Sequence, residues 1–133
     1  HGGHEYYNLP SLRIKSLFHY FADCGADAVV GHHPHRSGGY EIYNDKPLFY
    51  SLGNFLFDER NEPDFWYEGM GLQLKISKQK TLAFELYPFY QCKVEPVIRS
   101  LDDNEKKTFL LEIETLNRII ADDKELEKKW TEF

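Results

Sequence analysis

The sequence predicts a mixed α/β fold, an α+β sandwich with two β-hairpins and C-terminal helices. Three patterns carry this reading. Apolar residues at helical spacing run straight into a short apolar strand before residue 31. Alternating apolar and polar residues mark strands between 40 and 86, and helical spacing returns after residue 102. The length of 133 residues fits one domain of ordinary size.

Asn8-Leu9-Pro10-Ser11 reads as a helix start, with Pro10 near the first turn, where its missing N–H is harmless. Ile14, Leu17, Phe18 and Phe21 follow as the apolar face, and Gly25 stands where a C-terminal cap belongs. Asp27-Ala28-Val29-Val30 is expected as a short buried strand ending at Gly31, which makes half of an α/β unit. Ligands in open α/β sheets bind beyond the carboxyl ends of strands, and Gly31-His32-His33-Pro34-His35 begins there. Tyr40–Tyr43 and Pro47–Tyr50, joined by Asn44-Asp45-Lys46, form the first hairpin. Leu72, Leu74 and Ile76, then Leu82, Phe84 and Leu86, alternate around a turn at Ser77 to Lys80 and form a second hairpin with one wet face.

Residues 58–69, rich in Asp, Glu, Pro and aromatics, read as a long surface loop of the kind that edges a site. Asp102-x-x-Glu105 is a capping box ahead of the stripe Phe109, Ile113, Leu116 and Ile120. Asp122-x-x-Glu125 starts a second helix, with Leu126 and Trp130 one turn apart. This helical pair is expected to cover the sheet; a docking surface for a partner is the alternative.

Composition narrows the function classes. An apolar share of 41%, with 16% aromatic, suffices for a core. The net charge of −6 argues against non-specific nucleic-acid binding, which needs clustered Lys and Arg. No apolar run approaches the ~20 residues that span a bilayer. Cys24 and Cys92 are too far apart for a CxxC pair and are expected as buried free thiols. The start, His1-Gly2-Gly3-His4 with no Met, reads as a cut or matured end of something longer. Acidic charge concentrates after residue 100, whereas all six His fall within the first 35 residues. Chemistry is therefore expected in the N-terminal quarter.

Neutral imidazole is the commonest protein metal ligand, and His32, His33 and His35 stand together after a strand. In an extended segment the side chains of His33 and His35 project the same way, so both can reach one metal centre or neighbouring ones. Pro34 stiffens the segment, and Gly31 lets the backbone turn behind it. A polar loop of exposed or hydrogen-bonded His is the alternative. His1 and His4 form a second group with Glu5 beside them, where Glu5 is a candidate ligand, a carboxylate orienting an imidazole, or a salt-bridged loop residue.

Four blocks then become familiar in order and spacing. They are His1-Gly2-Gly3-His4-Glu5-Tyr6, the run Gly25-Ala26-Asp27-Ala28-Val29-Val30-Gly31-His32-His33-Pro34-His35, Glu41-Ile42-Tyr43, and Tyr50-Ser51-Leu52-Gly53-Asn54-Phe55. Together they resemble the CapA family of bacterial capsule (poly-γ-glutamate) synthesis proteins, over residues 1 to about 58. The resemblance implies part of a calcineurin-like metallophosphoesterase fold, four layers with two sheets flanked by helices. It also implies a dinuclear site for manganese, zinc or iron. In such sites a metal pair acidifies water and stabilises a phosphoryl oxygen.

By the same resemblance His1 corresponds to a lone metal-binding His, and the Gly31–His35 block to a terminal Gly-His-x-His motif. His33 and His35 are the expected ligands, with His32 third. The block is one residue longer than that motif. The family's early motifs, an Asp-and-acid pair and an Asn-His pair, have no counterpart here. His32 and Glu5 are the candidate catalytic residues and Asn54 the candidate substrate contact, a tight turn bordering the pocket being the other reading of Gly53-Asn54.

The resemblance therefore implies residues 1–98 as the C-terminal half of such a domain and 99–133 as a helical extension packing on it. The expected partners are the N-terminal half of the parent domain and other capsule-synthesis proteins, with envelope association through an N-terminal anchor. With half the ligands absent, this chain alone is expected to bind metal weakly or not at all. A phosphoesterase without a capsule role and a non-catalytic interaction domain are the competing readings.

Overall fold

A computed structural model describes residues 1–59, 61–79, 82–95 and 97–133. The elements in order are helix α1 (Leu12–Asp23), strands β1 (Val29–Val30), β2 (Tyr40–Tyr43) and β3 (Lys46–Phe49), a 3₁₀ turn (Asp64–Tyr67), strands β4 (Glu68–Ile76), β5 (Leu82–Gln91) and β6 (Ile98–Ser100), and helices α2 (Asp103–Ala121) and α3 (Asp123–Glu132). The strands form two three-stranded sheets, ordered β1-β3-β2 and β4-β5-β6. The mixed α/β class follows from the two sheets and three helices together.

In the first sheet β1 runs parallel to β3, with Val29 opposite Leu48, and β2 runs antiparallel to β3. Asn44 and Asp45 both take positive φ, +50° and +63°, which makes a two-residue turn matched to strand twist. Lys46, expected in that turn, therefore pairs with Tyr43 inside the ladder. The second sheet is antiparallel throughout, with Ile76 opposite Leu82 and Tyr90 opposite Arg99. Lys80 of its expected turn lies outside the described residues. Phe84 joins the sheets, its ring meeting Phe49 at 5.0 Å and Tyr40 at 5.2 Å, both edge-on.

Helix α1 starts at the Ser11 cap, whose hydroxyl accepts from the Ile14 N–H at 3.3 Å, with Pro10 directly before the cap. Gly25, at φ +109°, ends it as expected. The buried face is Lys15, Phe18 and Ala22, while Leu17 and Phe21, expected inside, are each 42% exposed. Lys15 sets this rotation. Its Nζ donates to the Ile120 carbonyl at 2.7 Å and to Asp123 at 2.6 Å, at the α2–α3 junction. It also lies 4.0 Å from Glu41, which pairs with His19 at 2.7 Å and accepts from the Tyr50 hydroxyl. Burial, then the bond to Glu41, pushes the Tyr50 phenol far up, so it remains a donor.

Other expectations are corrected. The strand at Val29–Val30 is half-buried and exposed by turns, because among the described residues only β3 pairs with it. Gly31 answers to space and not to left-handed backbone: a Cβ there would sit 2.5 Å from the Tyr50 carbonyl oxygen and 2.8 Å from the Phe18 ring. The segment at 58–69 is surface loop only at its start, since Trp66 and Tyr67 are buried. Strand β6 had no clear signal. Cys24 is exposed as the α1 cap and Cys92 half-buried, both free.

The C-terminal helices belong to the same core. Phe109, Ile113, Leu116, Ile120 and Leu126 cluster with Leu48, Tyr50 and Met70. The capping box forms as expected: Asp102 accepts from the Asn104 and Glu105 N–H groups and Glu105 accepts from the Asp102 N–H, all at 2.9 Å. Arg99 grips Glu105 with both nitrogens at 2.7 Å and, with that backbone N–H, pulls its carboxyl down to about 2. This contribution is complete above the ordinary Glu range near ~4.3 and is lost as pH falls toward 2.

Replacing Lys15 with Met keeps the volume and leaves Asp123 and the Ile120 carbonyl short of a donor. We expect a loss of about 1.5–3 kcal/mol in urea unfolding; a change under about 0.5 kcal/mol would contradict the role given to Lys15.

Candidate functional site

The histidine loop leaves the carboxyl end of β1, and the first six residues lie alongside it. Two backbone bonds sew the segments together, Gly2 N–H to the His32 carbonyl at 3.0 Å and Tyr6 N–H to the Pro34 carbonyl at 2.7 Å. This brings the His1 ring to 4.6 Å from that of His33, and His33 to 6.1 Å from His35. Glu5 follows, its Oε1 3.9 Å from His35 Nε2. Four of the residues expected at the site therefore gather at one strand end.

They meet by a route different from the extended segment expected. His33 and His35 both have positive φ, +115° and +58°, as does Tyr6 at +64°. The His33 value lies outside even the small left-handed region, a conformation that costs of order 1–3 kcal/mol and that clusters at functional sites. The loop is twisted, and the twist turns the two rings toward each other.

His35 is the most firmly held. Its ring stacks on Trp66 at 4.6 Å and 19°, and meets Phe57 edge-on at 5.5 Å. Its Nδ1 lies 2.8 Å from Asn54 Oδ1, while Asn54 Nδ2 donates to the Trp66 carbonyl at 3.0 Å. Asn54 is buried, with oxygen and nitrogen both engaged inside the protein. Gly69 makes this possible, because Gly53 and Gly69 form a backbone bridge and a Cβ on Gly69 would overlap the Asn54 carbonyl and the Phe89 ring.

Two of the remaining histidines, His32 and His4, lie near the cluster but apart from it. His32 is exposed, lends its carbonyl to Gly2, and its ring joins none of these ring contacts. His4 turns the other way, against Phe133 at 4.9 Å and Trp130 at 6.2 Å.

Aromatic walls complete the surroundings, Trp66 coming from the 58–69 segment expected to edge a site, while Tyr6 and Phe57 were not singled out in the sequence for this role. Tyr6 lies 5.8 Å from Trp66, and Phe57 lies 5.3 Å from it. The Trp66 indole nitrogen is the one buried side-chain polar atom without a partner among the described residues. Phe57 also lines a groove of about 380 Å³ with Gln91 and Cys92. The only sequence signal for this wall was the aromatic content of residues 55–67.

Carboxylates gather around Tyr6 at the mouth. Partial burial, then the carboxylates of Glu62 and Glu5, holds the Tyr6 phenol above its ordinary value, and Glu59 acts in the same direction. Imidazoles with a carboxylate suit zinc, iron or manganese. Among the described residues, however, no three His, Cys, Asp or Glu side chains converge closely enough to hold an ion. The donors fit in kind, but their spacing here does not close around an ion. Among those residues no helix is long and apolar enough to cross a membrane.

Gly69→Ala would drive Asn54 off its seat under His35. We expect a loss of about 1–3 kcal/mol in thermal or urea unfolding, as for overpacked cores; wild-type stability would show that the close approach is not required.

Residues 1–59 match the family model described as bacterial capsule synthesis protein PGA_cap. The chain is 36% identical over 116 residues to the PGA biosynthesis protein CapA of Bacillus subtilis (strain 168), covering 85% of this chain and 29% of that protein. It is 49% identical over 59 residues to the capsule biosynthesis protein CapA of Bacillus anthracis, 44% of this chain and 14% of that one. An uncharacterized protein of Sinorhizobium fredii (strain NBRC 101917 / NGR234), y4sH, is 53% identical over 49 residues, 37% of this chain and 11% of that protein. The chain thus spans less than a third of the length of these curated relatives. Its site lies within the matched stretch and its flanking wall, and the chain belongs to the bacterial capsule synthesis protein family.

Proposed function

We propose that the parent protein acts in capsule or poly-γ-glutamate biosynthesis, and that this chain supplies the histidine side of a phosphoesterase-type dinuclear metal site. The observation that carries this is the gathering of His1, His33 and His35, within 4.6 and 6.1 Å of one another in sequence of the family-matched stretch. Two relatives bear names for the same process, PGA biosynthesis and capsule biosynthesis.

In this reading His1, His33 and His35 are the ligands for manganese, zinc or iron. Glu5 approaches from the open side, as a further ligand or an acid–base group. His32 lies at the exposed rim, where it would meet substrate and not metal. The remaining donors come from the N-terminal half of the parent domain. The edge of β1 left unpaired among the described residues, and the exposed Leu17 and Phe21 of α1, support such a neighbour. Residues 1–98 form the domain portion and 99–133 the extension, and the assembled protein works at the cell envelope.

Two measurements test this. Calorimetric titration of the isolated chain with manganese or zinc should show no micromolar site, because the ligand set is short; micromolar affinity would refute the incomplete-site account. In the parent protein, His33→Ala with His35→Ala should abolish bound metal and cut capsule polymer at least tenfold in a complemented deletion strain. Wild-type polymer with those substitutions would point to a non-catalytic role. Phosphodiester hydrolysis lost on substitution, with polymer unchanged, would favour a phosphoesterase outside capsule synthesis.

A further inference from the structure

We infer that Asn54 is a positioning residue that fixes His35 as the Nδ1–H tautomer, leaving Nε2 as the free donor atom facing Glu5. The inference rests on the proposed reading of His35 as a ligand and deepens it. The argument is one of hydrogen-bond inventory. A backbone carbonyl only accepts, so the Asn54 amide group that meets the Trp66 carbonyl at 3.0 Å is its NH₂. The oxygen is then turned to His35 Nδ1 at 2.8 Å, and an amide oxygen also only accepts. The proton must therefore sit on Nδ1, and a neutral ring has its lone pair at Nε2.

The restraint is stiff because every part of it is packed. Asn54 is 5% exposed and Trp66 5% exposed. The indole face lies on the imidazole at 4.6 Å, so the ring cannot flip without unstacking. The 3.9 Å gap from Nε2 to the Glu5 carboxylate is too long for a hydrogen bond, which leaves that nitrogen uncommitted. Hydrogen bonds of this kind select the tautomer of ligating histidines, and losing them weakens metal binding 10–100-fold in order of magnitude. Trp66 thus has two tasks, with its carbonyl orienting Asn54 and its ring flooring His35.

The test needs no metal. A long-range ¹H–¹⁵N spectrum of the labelled chain, recorded at about pH 8, above the ordinary histidine range, reads the tautomer directly. A protonated Nδ1 and a lone-pair Nε2 at His35 are expected; the Nε2–H form, or averaging between the two, would overturn the inference. Asn54→Asp gives up the amide donor to the Trp66 carbonyl but keeps the acceptor facing Nδ1 and should keep the Nδ1–H form, whereas Asn54→Leu should release it to a mixture. A fixed tautomer in folded Asn54→Leu would also overturn it, and if that variant does not fold, the wild-type and Asn54→Asp spectra decide. Manganese or zinc added to the parent protein addresses the separate question. A held Nδ1–H form with no metal response at His35 would support the positioning and remove the ligand reading.

Discussion

Two backbone hydrogen bonds, from Gly2 to His32 and from Tyr6 to Pro34, are the constraint on which the site depends. They hold two segments some thirty residues apart in sequence side by side at the end of β1. Without them, His1 would belong to a loose strand end and Glu5 would have no fixed relation to His35. The parallel pairing of β1 with β3 sets the height at which this happens. The packing of Gly31 against Tyr50 and Phe18 leaves the histidine loop only one exit direction.

The same N-terminal segment is braced from the far end of the chain. The Tyr7 ring stacks on Phe133 at 4.1 Å and its hydroxyl donates to the Lys129 carbonyl at 2.8 Å. The Trp130 indole donates to the Pro10 carbonyl at 2.6 Å. Helix α3 therefore supports the chain just behind the site residues, with Leu126 anchoring it in the core. A helical tail that reads in sequence as a cover for the sheet also fixes the entry of the segment carrying His1 and Glu5.

Local chemistry was legible and tertiary choice was not. The turn at Asn44-Asp45, the capping box at Asp102 and the Gly25 cap each depend on a few adjacent residues, and each forms. The stripe Phe109, Ile113, Leu116 and Ile120 was read correctly because its period is regular and its opposite face is charged. Helix α1 misled for a physical reason: a buried Lys15 seeking Ile120, Asp123 and Glu41 outweighs the apolar spacing of Leu17 and Phe21. At the site, the histidines stood out by type and clustering. Trp66 did not, since an aromatic in an acidic, Pro-containing stretch carries no mark of its stacking on a ring thirty-one positions earlier. Nor could spacing reveal that His33 reaches His1 through positive φ.

The account turns on imidazoles from His1, His33 and His35 facing a shared cation in the assembled protein. The most direct measurement is a crystal structure of the parent protein grown with manganese, with anomalous difference density used to locate the ion. The account predicts peaks within about 2.0–2.3 Å of ring nitrogens from these three histidines, His35 bonding through Nε2. Peaks elsewhere with these rings turned outward, or no peak at a site fully formed by both halves, would contradict it.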